Sequence, residues 1–97
     1  MAERGNKGAV QARIREKLTN GLAPISLAVV DESHRHAGHG GHHANGESHF
    51  RVDIVSAAFA GKRLVERHRL VNSLLSEELA GGVHALAISA RAPGEGA

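Results

Sequence analysis

Residues 50–55 read FRVDIV, and their alternation of apolar and polar side chains has the period of a β-strand buried on one side. Residues 25–30, ISLAVV, form a second such run, with Ile25, Leu27 and Val29 on one face. A single glycine-rich stretch without any periodicity separates the two runs. We therefore predict an antiparallel hairpin with an unusually long connection between its strands.

Two helical patterns and one more strand surround this hairpin. The first predicted helix carries an apolar residue at every fourth position and stops near Asn20-Gly21; these residues are Val10, Ile14 and Leu18. An amphipathic pattern from Leu64 to Leu79 predicts a second helix of about four turns, ended by Gly81-Gly82. Residues 83–89, VHALAIS, predict the third strand.

The order helix, strand, strand, helix, strand predicts an α+β fold. A two-layer sandwich, in which a three-stranded sheet carries both helices on one face, buries every apolar stripe. We place a flexible N-terminus at residues 1–7, the folded domain at 8–91 and a flexible tail at 92–97. The histidine- and glycine-rich loop between the first two strands spans residues 34–47.

Composition limits the classes of function that this chain can perform. Its 97 residues suffice for one small domain, and the absence of cysteine excludes disulfides and any thiolate ligand of its own. A net charge of +2 permits nucleic-acid binding without requiring it. No apolar run is long enough to span a membrane and no signal peptide is evident, so we expect a cytoplasmic protein without membrane contact.

Histidine is the compositional anomaly, since five of the eight histidines lie within ten residues: His34, His36, His39, His42 and His43. Neutral imidazole binds zinc, copper, nickel and iron. The alternative is a solvated loop that binds metal only loosely, because a glycine-rich segment fixes no ligand geometry in advance. Motifs of serine hydrolases (GxSxG) and zinc proteases (HExxH) do not occur, and we do not expect an enzyme.

Three further histidines lie outside that cluster. His49 begins the second predicted strand, where a half-exposed strand end is the simplest interpretation. His68 falls on the predicted buried stripe of the second helix, and the flanking Arg67 and Arg69 could bind phosphate or a carboxylate. His84 begins the third strand between small apolar neighbours that would not screen an approaching partner.

In combination, four segments make the sequence resemble the BolA family: DESHRH at 31–36, ESHFRVDIVSAAFAGK at 47–62, RHRLVNSLL at 67–75 and EELAGGVHALAI at 77–88. The resemblance implies an αββαβ fold similar to class II KH domains. It also implies a heterodimer with a monothiol glutaredoxin and a shared [2Fe–2S] cluster, used in iron–sulfur trafficking or in iron and redox regulation.

The resemblance further implies which ligands hold such a cluster. The glutaredoxin cysteine and a glutathione thiol supply sulfur, and the BolA partner supplies the VHAL histidine, here His84, with one residue from the loop between the first two strands. That loop ligand is cysteine in one subgroup and histidine in another, so this chain resembles the histidine (BolA1-like) subgroup. Aligned on DES, the loop ligand is His36. The longer loop leaves four alternates, which are His34, His39, His42 and His43.

A DNA-binding transcriptional regulator is the competing prediction, because the KH-like fold and the basic residues around the second helix suit phosphate contacts. The candidate partner or nucleic-acid contacts are Lys62, Arg63, Arg67, His68 and Arg69. KH domains clamp the nucleic-acid backbone with a Gly-x-x-Gly loop between helices. Here that spacing, Gly38 to Gly41, falls within the histidine-rich loop instead.

Overall fold

The computed structural model describes residues 8–33 and 48–95. Its elements follow one another as α1 (Ala9–Leu22), β1 (Ser26–Asp31), β2 (His49–Val55), a 3-10 turn (Ala57–Phe59), α2 (Leu64–Leu74), α3 (Ser76–Ala80) and β3 (Ala85–Arg91). The predicted α+β class is confirmed. The predicted flexible N-terminus 1–7, the loop 34–47 and residues 96–97 lie outside the described residues.

The central strand of the sheet is β2, the strand from which the hairpin was predicted. It runs antiparallel to β1, as expected, with Val29 opposite Val52. It runs parallel to β3, with Val52 opposite Ile88. The parallel pairing is possible because α2 and α3 return the chain across the sheet before β3 begins.

One face of the sheet forms the core with the helices packed on it. The buried apolar residues of the sheet all share this face: Val29, Phe50, Val52, Ile54 and Ala90. The 3-10 turn, the helices and the residue after α2 contribute Ile14, Leu18, Leu22, Phe59, Val71 and Leu75 to the same cluster. Burial of each of the larger side chains contributes about 1.5–3 kcal/mol. Because sheet and helices share one cluster, α1 and α2 cover the same face, as predicted.

Helix α1 ends two residues later than predicted. Gly21 lies inside the helix, where a Cβ would stand 2.8 Å from a methyl carbon of Leu74, so glycine here allows α1 to approach α2 closely. Ala23 caps the end of the helix: it has a left-handed φ of 45° and donates its N–H to the Thr19 carbonyl. Pro24 follows and cannot continue the helix.

The predicted four-turn second helix is two helices. The chain departs from helical geometry at Leu75, which ends α2 and precedes α3. The amphipathic pattern that begins at Leu64 predicts this residue on the buried stripe, and that prediction is wrong, because Leu64 is 64% exposed. Leu64 is the first residue of α2, and the buried residues of this helix, Arg67 and Val71, lie in its later turns.

Beyond the predicted end of the domain at residue 91, the chain still contacts the core. Strand β3 continues to Arg91, and Ala92 is buried. The Glu95 carboxylate then accepts hydrogen bonds from Arg67, whose side chain is buried. Residues 92–95 are therefore attached to the sheet rather than separate from it, while the exact boundaries 8 and 91 stay predictions.

Glu78 fixes α3 to α1 through a buried ion pair. Its side chain is 2% exposed and accepts hydrogen bonds from Lys17 Nζ at 3.0 Å and from Arg13 Nε at 3.3 Å. Burial raises the pKa of Glu78, but the hydrogen bonds from Lys17 and Arg13, with a backbone bond, outweigh it and leave that pKa below its usual value. The carboxylate thus stays charged, and both partners come from the neighbouring helix.

Candidate functional site

The backbone fixes His84 at the start of β3 and leaves its side chain exposed. The His84 N–H donates to the Ser48 carbonyl at 2.7 Å, and the next N–H, of Ala85, shares the same acceptor at 3.2 Å. Val83, the residue before His84, is buried in the hydrophobic core. An exposed imidazole on an anchored backbone is suited to meet a ligand or a partner protein.

His49 is the histidine that the described part of the fold brings next to His84. It begins β2 and pairs with Ala85, so the two histidines lie at the same end of neighbouring parallel strands. Their rings are stacked, with centroids 6.3 Å apart and planes inclined by 11°. His49 Nδ1 lies 2.8 Å from the hydroxyl of Ser48, a residue that is 2% exposed. This end of the sheet therefore presents two imidazoles side by side.

Sequence reasoning treated His49 as an ordinary strand end. The period-two pattern alone could not have paired it with His84, because thirty-five positions separate the two residues and the parallel register was unknown. The predicted loop ligand His36 and its alternates His34, His39, His42 and His43 all lie outside the described residues. Within residues 8–33 and 48–95, no three His, Asp or Glu side chains converge to hold a metal ion.

The second candidate surface surrounds α2. Lys62, Arg63 and Arg69 are exposed there, and Arg63, which precedes α2, lies within 3.8 Å of Glu66 in its first turn. A shallow concavity of about 290 Å³ is lined by Lys62, Glu66, Arg69, Leu70 and Ser73. Leu64 and Val65 are the exposed large apolar residues of this surface. It combines positive charge with aliphatic groups.

Arg67 does not belong to that surface. It is 6% exposed, and its Nε donates to the Lys62 carbonyl at 2.9 Å while Nη1 donates to the Ala90 carbonyl at 3.1 Å. The sequence placed His68 on the buried stripe and Arg67 beside it, whereas in the structure Arg67 is buried and His68 is half-buried. A guanidinium can be buried here because carbonyl and carboxylate acceptors surround it.

The remaining acceptor of Arg67 is Glu95, and the pair shifts both pKa values. The hydrogen bonds from Arg67, assisted by the Ala92 N–H, lower the pKa of Glu95 to about 2. The same hydrogen bonds raise the pKa of Arg67. Both groups are therefore charged at neutral pH, and they pair with each other within the fold.

The Lys62 end of the second surface and His84 lie at opposite ends of β3. His84 immediately precedes the strand, and Ala90, whose carbonyl accepts from Arg67, is next to its last residue. A strand rises about 3.3 Å per residue, so His84 and the Ala90 carbonyl are about 20 Å apart along it. A ligand at one end would not touch the other.

No helix of the described ranges, 8–33 and 48–95, combines the length and apolar content needed to cross a bilayer.

Comparison with known proteins identifies the relatives of this chain. Residues 18–95 match the family model described as BolA-like protein. SufE-like protein 1, chloroplastic/mitochondrial, of Arabidopsis thaliana is 51% identical over 92 residues, which are 91% of this chain and 25% of that protein. BolA-like protein 1 of Mus musculus is 50% identical over 88 residues, covering 91% of this chain and 61% of the mouse protein.

A bacterial relative and a solved structure complete the comparison. The DNA-binding transcriptional regulator BolA of Escherichia coli is 48% identical over 79 residues, covering 81% of this chain and 71% of that protein. The solved BolA domain of SufE1 from Arabidopsis thaliana superposes with a TM-score of 0.82 at 52% identity, covering 92% of this chain and 98% of that one. The chain thus spans only a quarter of the SufE-like protein and about three-fifths of the mouse protein. None of these names is that of an enzyme.

Proposed function

Because the chain belongs to the family of BolA-like proteins, we propose that it is the partner of a monothiol glutaredoxin. The two proteins would share a [2Fe–2S] cluster, to which this chain contributes histidine ligands, for iron–sulfur trafficking or iron and redox regulation. Its site of action would be the cytoplasm, although the name of one relative places that relative in chloroplasts and mitochondria.

The observation that carries the proposal is the position of His84. Its backbone is held by Ser48 and its side chain is exposed, so a second protein can reach the imidazole without unfolding any element. The chain has no cysteine, and the sulfur ligands must come from the glutaredoxin and from glutathione. The donor set therefore fits one side of a shared site and does not fit a cluster that this chain holds alone.

The two histidine ligands in this proposal are His84 and a loop histidine, with His36 as the first choice and His34, His39, His42 and His43 as alternates. An imidazole that replaces a thiolate removes negative charge, and the reduction potential of a cluster with such ligands is higher. The role of this chain is to present the exposed His84 imidazole from an anchored backbone at the rim of the sheet.

Reconstitution with a matched histidine control tests the proposal. The protein is mixed with a monothiol glutaredoxin, glutathione, iron and sulfide, and the product is followed by size exclusion and visible circular dichroism. We expect a coloured heterodimer whose spectrum differs from that of the glutaredoxin homodimer. His84→Ala should remove that difference, and His68→Ala, on α2, should retain it.

The proposal fails if His84→Ala leaves both the heterodimer and its spectrum unchanged. Where His84→Ala does remove the difference, single alanine substitutions at His34, His36, His39, His42 and His43 identify the loop ligand, because one of them alone should change the spectrum strongly. Co-purification of a glutaredoxin with the unmodified protein would give independent support.

DNA binding is the second candidate function, favoured by the name of the Escherichia coli relative and by the cations beside α2. The available contacts are Lys62, Arg63 and Arg69, with His68 half-buried next to them. The guanidinium of Arg67 would have to leave three acceptors before it could bind a phosphate. The aliphatic side chains of Leu64 and Val65 on the same surface favour a protein partner over a phosphate backbone.

The salt dependence of DNA binding and competition with bulk DNA distinguish a sequence-specific regulator from a protein whose basic surface attracts any DNA weakly. A specific regulator should bind its site at least about a thousandfold more tightly than bulk DNA, and its affinity should fall steeply with salt. Lys62→Ala and Arg69→Ala should each weaken binding and reduce the salt slope by about one. Binding without sequence preference would eliminate this second function.

A further inference from the structure

We propose that His49 and His84 form a two-imidazole site that binds a divalent transition-metal ion in this chain alone, without a glutaredoxin or glutathione. The two rings are stacked 6.3 Å apart at the end of neighbouring strands. This site differs from the shared cluster, because its second ligand comes from β2 and not from the loop, and because it needs no sulfur ligand.

The two backbones are fixed relative to each other. His49 is opposite Ala85 in the parallel ladder, and the carbonyl of Ser48 accepts the N–H groups of both His84 and Ala85. These bonds hold Ser48 and His49 at the start of β2 against His84 and Ala85 at the start of β3. The distance between the two Cα atoms is therefore set by the sheet, and binding requires no loop to fold.

The Ser48 hydroxyl determines which nitrogen of His49 would bind the metal. It lies 2.8 Å from Nδ1, so the ring would coordinate through Nε2. Ser48 is 2% exposed and hence firmly held, and such a hydrogen bond fixes the orientation of a metal-binding imidazole. His49 is itself half-buried, which limits its rotamers.

The distance between the His49 and His84 ring centroids is close to the distance expected for two imidazoles bound to one metal ion. With metal–nitrogen bonds of about 2.0–2.1 Å, two imidazoles on one tetrahedral ion have centroids about 5 Å apart. The observed separation of 6.3 Å must therefore shorten by about 1 Å, and the rings must turn toward a common point. His84 is exposed, and rotation of its side chain would bring its ring toward that point.

The donor set selects the class of ion. Two neutral imidazoles without carboxylate or thiolate favour Zn²⁺, Ni²⁺ and Cu²⁺ over Mg²⁺ or Ca²⁺, which prefer oxygen. Among the residues that the structure describes, no third His, Asp or Glu joins them. Such a site binds an exchangeable ion rather than a structural one. Since His84 also belongs to the proposed cluster site, the ion and the cluster would compete for it.

Binding of Ni²⁺ by isothermal titration calorimetry tests the site in the full-length chain. In the starting variant, Asn replaces each of the five loop histidines, so that the heat of Ni²⁺ binding to the loop does not mask binding to His49 and His84. The five replaced residues are His34, His36, His39, His42 and His43. We expect one bound Ni²⁺ per chain. His49→Asn and His84→Asn should each weaken binding by more than about tenfold. Loss of a residue that only hydrogen-bonds a metal ligand already costs about that much, and loss of the ligand itself should cost more. His68→Asn is the matched control and should change nothing.

Three further measurements test the imidazole pair. The double substitution His49→Asn with His84→Asn should cost little more than either single one, because a chelate is already lost with its first ligand. Far-ultraviolet circular dichroism must show that each variant is folded, and Ser48→Ala, which retains both rings, should weaken Ni²⁺ binding to an intermediate degree. Failure of the starting variant to bind Ni²⁺, or full binding after His49→Asn, overturns the proposal.

The proposed function can fail independently of this site. If the cluster assay with glutaredoxin responds to His84→Ala but Ni²⁺ binding is absent, the shared cluster stands and the imidazole pair does not. If Ni²⁺ binds to the pair but no heterodimer forms, the reverse holds.

Discussion

Both terminal nitrogens of Arg67 donate to the carboxylate of Glu95, Nη1 to Oε1 at 2.6 Å and Nη2 to Oε2 at 2.7 Å, across twenty-eight positions of sequence. The guanidinium is nearly buried, whereas the carboxylate is 41% exposed at its outer side. Since Arg67 also binds the carbonyls of Lys62 and Ala90, one side chain connects α2, the turn before it, β3 and the residues that follow β3.

Replacement of Arg67 by methionine should lower the melting temperature clearly, because it leaves buried carbonyl oxygens such as that of Ala90 without a donor. Glu95→Gln should have a smaller effect, since water can reach the opposite side of that residue. Arg63→Met is the control, and because Arg63 is exposed it should leave the melting temperature nearly unchanged. Equal effects of Arg67→Met and Arg63→Met, measured by thermal denaturation, would contradict this assignment.

The same pair predicts how stability depends on pH. Hydrogen bonds from Arg67 lower the folded-state pKa of Glu95 to about 2, against about 4.3 for an unfolded glutamate. The contribution of Glu95 to the free energy of unfolding is therefore complete above about pH 4.3, and it is lost as the pH falls toward 2. Urea unfolding between pH 5 and pH 2 should show a shallower acid loss for Glu95→Gln than for the unmodified chain. Parallel curves would refute the shifted pKa.

Ser56→Ala should destabilise the fold by about 1–3 kcal/mol, because the buried Ser56 hydroxyl donates to the Leu22 carbonyl at 2.6 Å. The same oxygen accepts the Ala58 N–H at the start of the 3-10 turn. The exposed Ser73 of α2 offers the control, and Ser73→Ala should stay within about 0.5 kcal/mol of the unmodified protein. Chemical denaturation measures both, and a neutral Ser56→Ala would show that this bond contributes nothing.

Two glycines with open surroundings should respond differently to alanine. Gly61 has a left-handed φ of 78° with nothing within 4 Å of an added Cβ, so Gly61→Ala should cost about 1–2 kcal/mol in backbone strain alone. Gly82 also has open space but no left-handed φ, and Gly82→Ala should be neutral or slightly stabilising. A smaller loss for Gly61→Ala than for Gly82→Ala, by equilibrium unfolding, would disagree with the backbone argument.

Local pattern predicted the elements of this protein because the physical cause of each is local. The period-two alternation of β1 and β2 specifies one buried face, and the apolar residues spaced by four in α1 specify one buried stripe. The same reasoning failed at Leu64 and Arg67, where the pattern placed the leucine inside and the arginine outside. An arginine is buried only if distant acceptors surround it, and the Ala90 and Glu95 acceptors lie twenty-three and twenty-eight positions away.

The sequence by itself determined the α+β class, the family resemblance, the lack of thiolate ligands and the candidacy of His84. The tertiary structure alone decided that His49 stands beside His84, because the parallel register of β2 and β3 brings together residues that no periodicity connects. It also decided that the Lys62 end of the α2 surface lies at the other end of β3 from that pair. Composition and period are properties of neighbouring residues, whereas a site is a property of the distances between residues far apart in the chain.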